Sequence, residues 1–218
     1  MKPFTTTKIC GITRTEDALA ACAAGAHALG FNFSAKSPRC ITPDQACSII
    51  SALPSWITTV GIFVEQNPET IAAICQHTNL HAAQLHSDTY TPEDARAIQG
   101  VSIIKVFRPE ADFNTNTVLA YAKASGVNTF LFDTYNPAMA GGTGKIIDRS
   151  LARRILGELG NKVHTILAGG LTPDNVAEAI RYCKPHCVDT ASGVETAPGI
   201  KNSTAIHAFL AAVRKAQA

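Results

Sequence analysis

Eight helix-start signals recur along the chain at intervals of roughly 24 to 32 residues, and no other feature narrows the choice of fold as far. The strongest are Thr42-Pro43, Asn67-Pro68, Thr91-Pro92 and Thr172-Pro173. In each, a Thr or Asn side chain can accept amide protons that a first helical turn leaves orphaned, and proline suits the first helical position. Thr13 with Glu16 three residues on reads as a capping box, and Asn116, Asp148 and Ser203 complete the series. The period alone suits either a helical repeat array or a chain of β-loop-α units.

The segments before these starts decide between the two. Most are short β-rich runs ending in a turn former: His27 to Phe33, Ile57 to Val64, Ala82 to His86, Val101 to Phe107, Thr129 to Asp133, His164 to Ala168 and Cys187 to Ala191, with a poorer first strand at Thr6 to Cys10. Between them, Glu16 to Ala24, Pro68 to His77, Asp174 to Tyr182 and Thr204 to Lys215 repeat apolar residues at helical spacing. Eight strands alternating with eight helices imply a parallel sheet, and at 218 residues a closed (β/α)8 TIM barrel is favoured over an open doubly wound sheet. No Pro, Gly or Ser-rich linker divides the chain, so residues 1–218 read as a single domain. The longest irregular segments, Ser34 to Ile41 and Thr134 to Ile147, both follow strands, where barrels build their active sites.

Composition removes several functions. With 19 Lys and Arg against 17 Asp and Glu, scattered and without a basic block, the chain lacks the footprint of a nucleic-acid or anionic-membrane binder. No apolar run reaches transmembrane length, and Met1 to Thr7 holds no segment of signal-peptide length. The expectation is a soluble cytoplasmic protein. Seven cysteines form an odd set without C-x-x-C spacing, which reads as reduced thiols. Cys183, His186 and Cys187 straddle Pro185 with no second ligand pair, and buried structural side chains are the preferred account of them over a metal site.

Strand alternation places the groups that can do chemistry. Lys8 and Cys10 share one face of the first strand, directed into the barrel, with Cys10 at its mouth beside a helix N-terminus whose amides could favour a thiolate. A buried strand-end cysteine is the plainer account. The same alternation sends Phe130 and Phe132 outward and sets Asp133 at the rim, as an acid or as a cap for the Asn136-Pro137 turn. A thiol and a carboxyl facing one pocket suit proton removal at one atom and delivery at another. Gly169-Gly170 and Ser192-Gly193 end the last two strands, where phosphate-binding barrels offer backbone amides, although glycine serves plain turns as well. Arg39 could hold a carboxylate in its planar fork or lie solvated on the surface, and His86 could point into the pocket. Gly141-Gly142-Thr143-Gly144 matches neither a P-loop nor a dinucleotide fingerprint, so no nucleotide cofactor is called for.

An ordered set of motifs running nearly end to end resembles the phosphoribosylanthranilate isomerases of tryptophan biosynthesis. Its carriers are Lys8-Ile9-Cys10-Gly11, Gly30-Phe31, Ser37-Pro38-Arg39, Gly61-Ile62-Phe63-Val64, Gln84-Leu85-His86, the Gly141 to Gly144 stretch, Leu167 to Leu171, Val188-Asp189, Ser192-Gly193-Val194-Glu195, Pro198-Gly199 and Lys201. The resemblance implies a (β/α)8 barrel that performs an Amadori rearrangement of N-(5-phosphoribosyl)anthranilate to 1-(2-carboxyphenylamino)-1-deoxyribulose 5-phosphate, with no cofactor and no metal. It implies Cys10 as general base at the sugar C2 and Asp133 as general acid on the ring oxygen. It further implies Arg39 on the anthranilate carboxylate, Gly169, Gly170, Ser192 and Gly193 around the phosphate, and His86 and Asp189 as secondary contacts. The expected partner is the small phosphosugar substrate, with no nucleic acid or membrane, and the chain acts as a monomer or homodimer. Ile147, Asp148 and Arg149 depart from the aromatic, Asp and Trp usual there, and Ser87 and Asn202 replace a common glycine and a common acidic residue. Alternatives are a histidine-pathway isomerase, which uses Asp where this chain has Cys10, an indoleglycerol-phosphate synthase, whose catalytic lysine would be Lys8 or Lys105, and a silent phosphate-binding barrel.

Overall fold

The computed structural model describes residues 4–133 and 149–217. Eight parallel strands, β1 (Thr6–Ile9), β2 (Ala28–Asn32), β3 (Thr58–Phe63), β4 (Ala82–Leu85), β5 (Ser102–Phe107), β6 (Thr129–Asp133), β7 (His164–Ala168) and β8 (Cys187–Thr190), close into a barrel in chain order. Helices α1 (Thr15–Ala24), α2 (Pro43–Ile50), α3 (Pro68–Thr78), α4 (Pro92–Ala97), α5 (Asn116–Ser125), α6 (Arg149–Leu159), α7 (Val176–Cys183) and α8 (Ser203–Gln217) surround it. A hairpin, β9 (Glu195–Ala197) and β10 (Ile200–Lys201), is inserted before α8. No described helix is long and apolar enough to cross a membrane.

Alternation divides the apolar residues into two layers. Val60, Ile104, Val106, Leu131 and Ile166 fill the barrel interior. Leu29, Phe31, Phe63, Phe130, Phe132 and Leu167 pack outward against helical residues such as Ala21, Ile71, Val118, Ile155 and Phe209. Phe130 and Phe132 are fully buried on either side of inward-facing Leu131, and burying each ring contributes about 1.5–3 kcal/mol. On the β1–β8 side the interior is charged: Lys8 and Asp189 are register neighbours and pair at 3.0 Å.

Three of the proline-marked helix starts form as read. Thr42 and Gln45 make a reciprocal capping box, Thr91 and Asp94 another, and Asn67 accepts from the Thr70 amide. Others differ. The Thr13–Glu16 box does not form, because the Thr13 hydroxyl donates to the Gly199 carbonyl at 2.5 Å and Glu16 pairs with Arg14. Thr172 and Pro173 open a turn, held by Asn175 Oδ1 on the Thr172 amide at 2.8 Å, and α7 starts only at Val176. At the eighth start the cap is Asn202, whose side chain accepts from the Ala205 amide, rather than Ser203. At the fifth, Asn114 Oδ1 accepts from the Asn116 amide, which places the side-chain acceptor two residues before the reading. The start at Asp148, the Asn136-Pro137 turn and the Gly141 to Gly144 stretch lie outside the described residues.

One device repeats at the N-terminal end of the barrel. The Nδ1 atoms of His27, His81 and His186, each just before an even-numbered strand, accept the backbone N–H of Thr7, Thr59 and Thr165 on the preceding strand, at 3.2, 3.0 and 3.2 Å. Each also lies within 3.0 Å of the same threonine's hydroxyl. An imidazole nitrogen accepting an N–H must be unprotonated, so all three brackets require neutral histidine.

Candidate active site

At the opposite, C-terminal end, a cavity of about 270 Å³ is lined by Cys10, Arg39, Gln84, His86, Asp133, Gly169, Gly170, Asp189 and Ser192, among others. Of the nine residues to which the resemblance gives site roles, all but Gly193 are among its lining. β1 delivers Cys10, whose amide donates to the Thr190 carbonyl at 2.8 Å and so ties the first strand to the end of the last. β6 delivers Asp133, partly buried and in register with Ala168 of β7.

The electrostatics of Cys10 correct the sequence reading. Burial pushes its thiol above the ordinary value, and the Coulombic pull of Lys8, weakened by Asp189, does not offset this. The amides of α1 give little help, because that helix starts at Thr15 and the dipole's influence is confined to its first turn. Burial also works against the Lys8 ammonium, but Asp189 and Cys10 outweigh it and hold Lys8 protonated beyond its usual range. A fixed positive charge therefore stands beside the thiol. Lys105, the other lysine read as a catalytic candidate, is elsewhere: in register with outward-facing Leu85 and Phe130, its Nζ donates to the Ser87 carbonyl at 2.5 Å and lies over the Phe107 and Tyr121 rings.

His86, following β4, has its Nδ1 3.1 Å from the Gln84 amide nitrogen. Its pKa falls to about 4, through burial first and then the charges of Arg108, Lys8 and Lys105. It is a neutral ring, and because an amide nitrogen donates, Nδ1 accepts and the ring proton falls on Nε2. The sequence reading quoted Gln84 only as a motif residue; it enters the wall because β4 directs it inward.

The far wall is backbone. Gly169 and Gly170 take φ values of 98° and 68°, in the left-handed region that favours glycine, and so turn the chain sharply at the end of β7. After β8 the chain makes a short 3-10 turn, Ser192–Val194. A Cβ on Gly193 would lie 1.9 Å from the Leu171 carbonyl oxygen, and Thr190 Oγ1 donates to that same oxygen at 2.7 Å. The two loops are thus locked edge to edge, a rigid rim of the kind that receives a phosphate on backbone amides.

Arg39 is half-buried and held rather than loose on the surface. Its Nε and Nη2 donate to the two carboxylate oxygens of Glu195 at 2.8 and 2.6 Å. Burial would raise the Glu195 carboxyl, but its bonds from Arg39 and Lys201 hold it below the ordinary range. The sequence reading quoted Glu195 and Lys201 only as motif residues. The pairing of Glu195 with both Arg39 and Lys201 joins the loop after β2 to the hairpin after β8, segments far apart in the chain, which no local pattern reports.

A family model described as N-(5'phosphoribosyl)anthranilate (PRA) isomerase matches residues 7–212. The chain is 59% identical over 206 residues to a protein of Chlorobium phaeobacteroides named N-(5'-phosphoribosyl)anthranilate isomerase, covering 94% of this chain and 96% of that one. Among solved structures it is similar to phosphoribosyl anthranilate isomerase from Thermotoga maritima, with a TM-score of 0.86 and 37% identity over 97% of this chain and 99% of the other. A second, with a TM-score of 0.83 and 33% identity over 97% and 99%, is a phosphoribosyl anthranilate isomerase in complex with reduced 1-(o-carboxyphenylamino)-1-deoxyribulose 5-phosphate.

Proposed function

Because this chain belongs to the N-(5'-phosphoribosyl)anthranilate isomerase family, we propose that Cys10 and Asp133 are the base and acid with which it isomerises phosphoribosylanthranilate in tryptophan biosynthesis. The observation that carries this assignment is their convergence, from β1 and β6, on one cavity whose far wall is the glycine rim. Asp133 protonates the ribose ring oxygen, the C1–O bond breaks, and the anthranilate nitrogen supplies the electron pair to form an iminium. The Cys10 thiolate then removes the C2 proton, the electrons of that bond neutralise the iminium, and the resulting enolamine tautomerises to the aminoketone. C1 is reduced and C2 oxidised within one molecule, so the balance closes without a redox partner.

The remaining residues bind and orient. The amides around Gly169, Gly170 and Ser192, backed by Gly193, hold the phosphate. Arg39 holds the anthranilate carboxylate, and His86 donates from Nε2 to a substrate oxygen. Lys8, paired with Asp189, draws Cys10 toward the thiolate against the larger opposing effect of burial. The partner is thus a small phosphosugar rather than nucleic acid or membrane, and the chain works as a monomer or homodimer. Seven free cysteines support the reducing environment of the cytoplasm as its location.

Freshly prepared phosphoribosylanthranilate tests the assignment through the decay of its anthranilate fluorescence. Wild type consumes it, whereas Cys10→Ala and Asp133→Asn each lower kcat by about 10² to 10⁴ while keeping the wild-type circular dichroism. Turnover near wild type in either variant overturns that residue's role.

A further inference from the structure

The hairpin after β8 lies outside the barrel sheet, yet it carries the most connected charges at the mouth. The Lys201 ammonium, on β10, is completely buried. It donates to the Cys10 carbonyl at 2.5 Å, the Ala191 carbonyl at 3.1 Å and Glu195 Oε1 at 2.8 Å. An ammonium has three donors, and these contacts use all of them. Glu195, on β9, in turn occupies one edge of Arg39. A guanidinium has five donors, so the outer edge formed by Nη1 and the second Nη2 proton is left for another carboxylate. One buried ion pair thus ends on the backbone of the base, on the turn leading to the phosphate rim, and on the side chain assigned to the anthranilate group.

A buried pair of this kind is poorly explained by stability. Desolvation consumes most of its Coulombic gain, and apolar replacements of similar volume are often neutral or stabilising. What it supplies is fixed geometry. We propose that Glu195 and Lys201 are positioning residues of the isomerase: Glu195 presents the open edge of Arg39 to the substrate carboxylate, and Lys201 fixes the Cys10 backbone relative to the Ala191 turn. This rests on the roles given to Cys10 and Arg39 above.

Steady-state kinetics of Glu195→Gln and Lys201→Met with phosphoribosylanthranilate test it. Glu195→Gln raises KM roughly tenfold or more and changes kcat little, because a charged hydrogen-bond partner of Arg39 is lost. Inorganic phosphate, as a competitive inhibitor, binds it as it binds wild type. Lys201→Met lowers kcat on the order of 10- to 100-fold with a smaller change in KM, as misplacement of a base does. In an Arg39→Ala background Glu195→Gln adds nothing further. A fall in KM for Glu195→Gln overturns the proposal, since it would make Glu195 a competitor for Arg39 rather than its support. An unchanged KM and kcat, or equal losses in both variants that track a lowered Tm, overturn it also. If Lys201→Met does not fold, the isosteric Glu195→Gln and the double variant decide. Failure of the Arg39 assignment is recognised separately, by an unchanged KM in Arg39→Ala alone.

Discussion

Side chains at the mouth of the barrel are governed by opposing electrostatic effects, and Cys10 shows this most directly. Burial raises its pKa, Lys8 lowers it and Asp189 partly screens Lys8, with a net displacement upward. The reactive form is the thiolate, so its fraction is small at neutral pH and grows as pH rises. Accordingly, the rate of Cys10 alkylation by iodoacetamide climbs from pH 7 into the alkaline range. Alkylation already maximal at pH 7 would contradict the assignment. Asp133 was legible as a carboxyl closing an apolar strand, and its inward direction followed from alternation with Phe130 and Phe132. The pKa of Cys10 was not legible, because the groups that set it come from opposite ends of the chain and from burial depth, neither of which spacing encodes.

Elements form where local chemistry and packing agree. Thr91 caps α4 with Asp94 and Pro92 in the expected arrangement, so Thr91→Ala lowers unfolding stability by about 1 kcal/mol in urea titrations. Thr13 precedes an equally suggestive Glu16, but its hydroxyl is spent on the Gly199 carbonyl. The same substitution there loosens the hairpin carrying Glu195 and Lys201 rather than the start of α1. Sequence patterns report which caps are available, and tertiary partners decide which are used. Gly193→Ala tests the contact between the last two loops: its Cβ would meet a backbone oxygen that cannot swing aside. That variant weakens competitive inhibition by inorganic phosphate while Cys10 alkylation stays at the wild-type rate. Unchanged phosphate inhibition would remove the rim from the phosphate site.

Over the whole molecule the two ends of the barrel have separate duties, chemistry at the strand C-termini and closure at the N-termini, where three threonine–histidine brackets join successive strands. Burial lowers the pKa of His27, and burial with nearby His164 lowers that of His186. A histidine with a lowered folded-state pKa stabilises fully above its unfolded value of about 6.5, and the contribution is lost as pH falls through the folded value. His86 adds to the same trend down to about pH 4. The denaturation midpoint therefore drops between pH 7 and pH 5, and the drop shrinks in His27→Gln/His186→Gln, where an amide oxygen can still accept the threonine N–H. An equal drop in that variant would assign the acid sensitivity elsewhere. The alternation of short β-rich runs with capped amphipathic stretches was enough to favour a barrel over an open sheet and to set the faces of its strands, because period and capping are local properties of a chain, whereas closure and strand order came with the tertiary structure. The same local signals placed Cys10, Asp133 and the glycine turns at one end. The tertiary structure alone decided the raised thiol pKa, the brackets and the Arg39–Glu195–Lys201 network. Each depends on distances between residues remote in sequence and on how far water is excluded from them, and neither quantity exists until the barrel has closed.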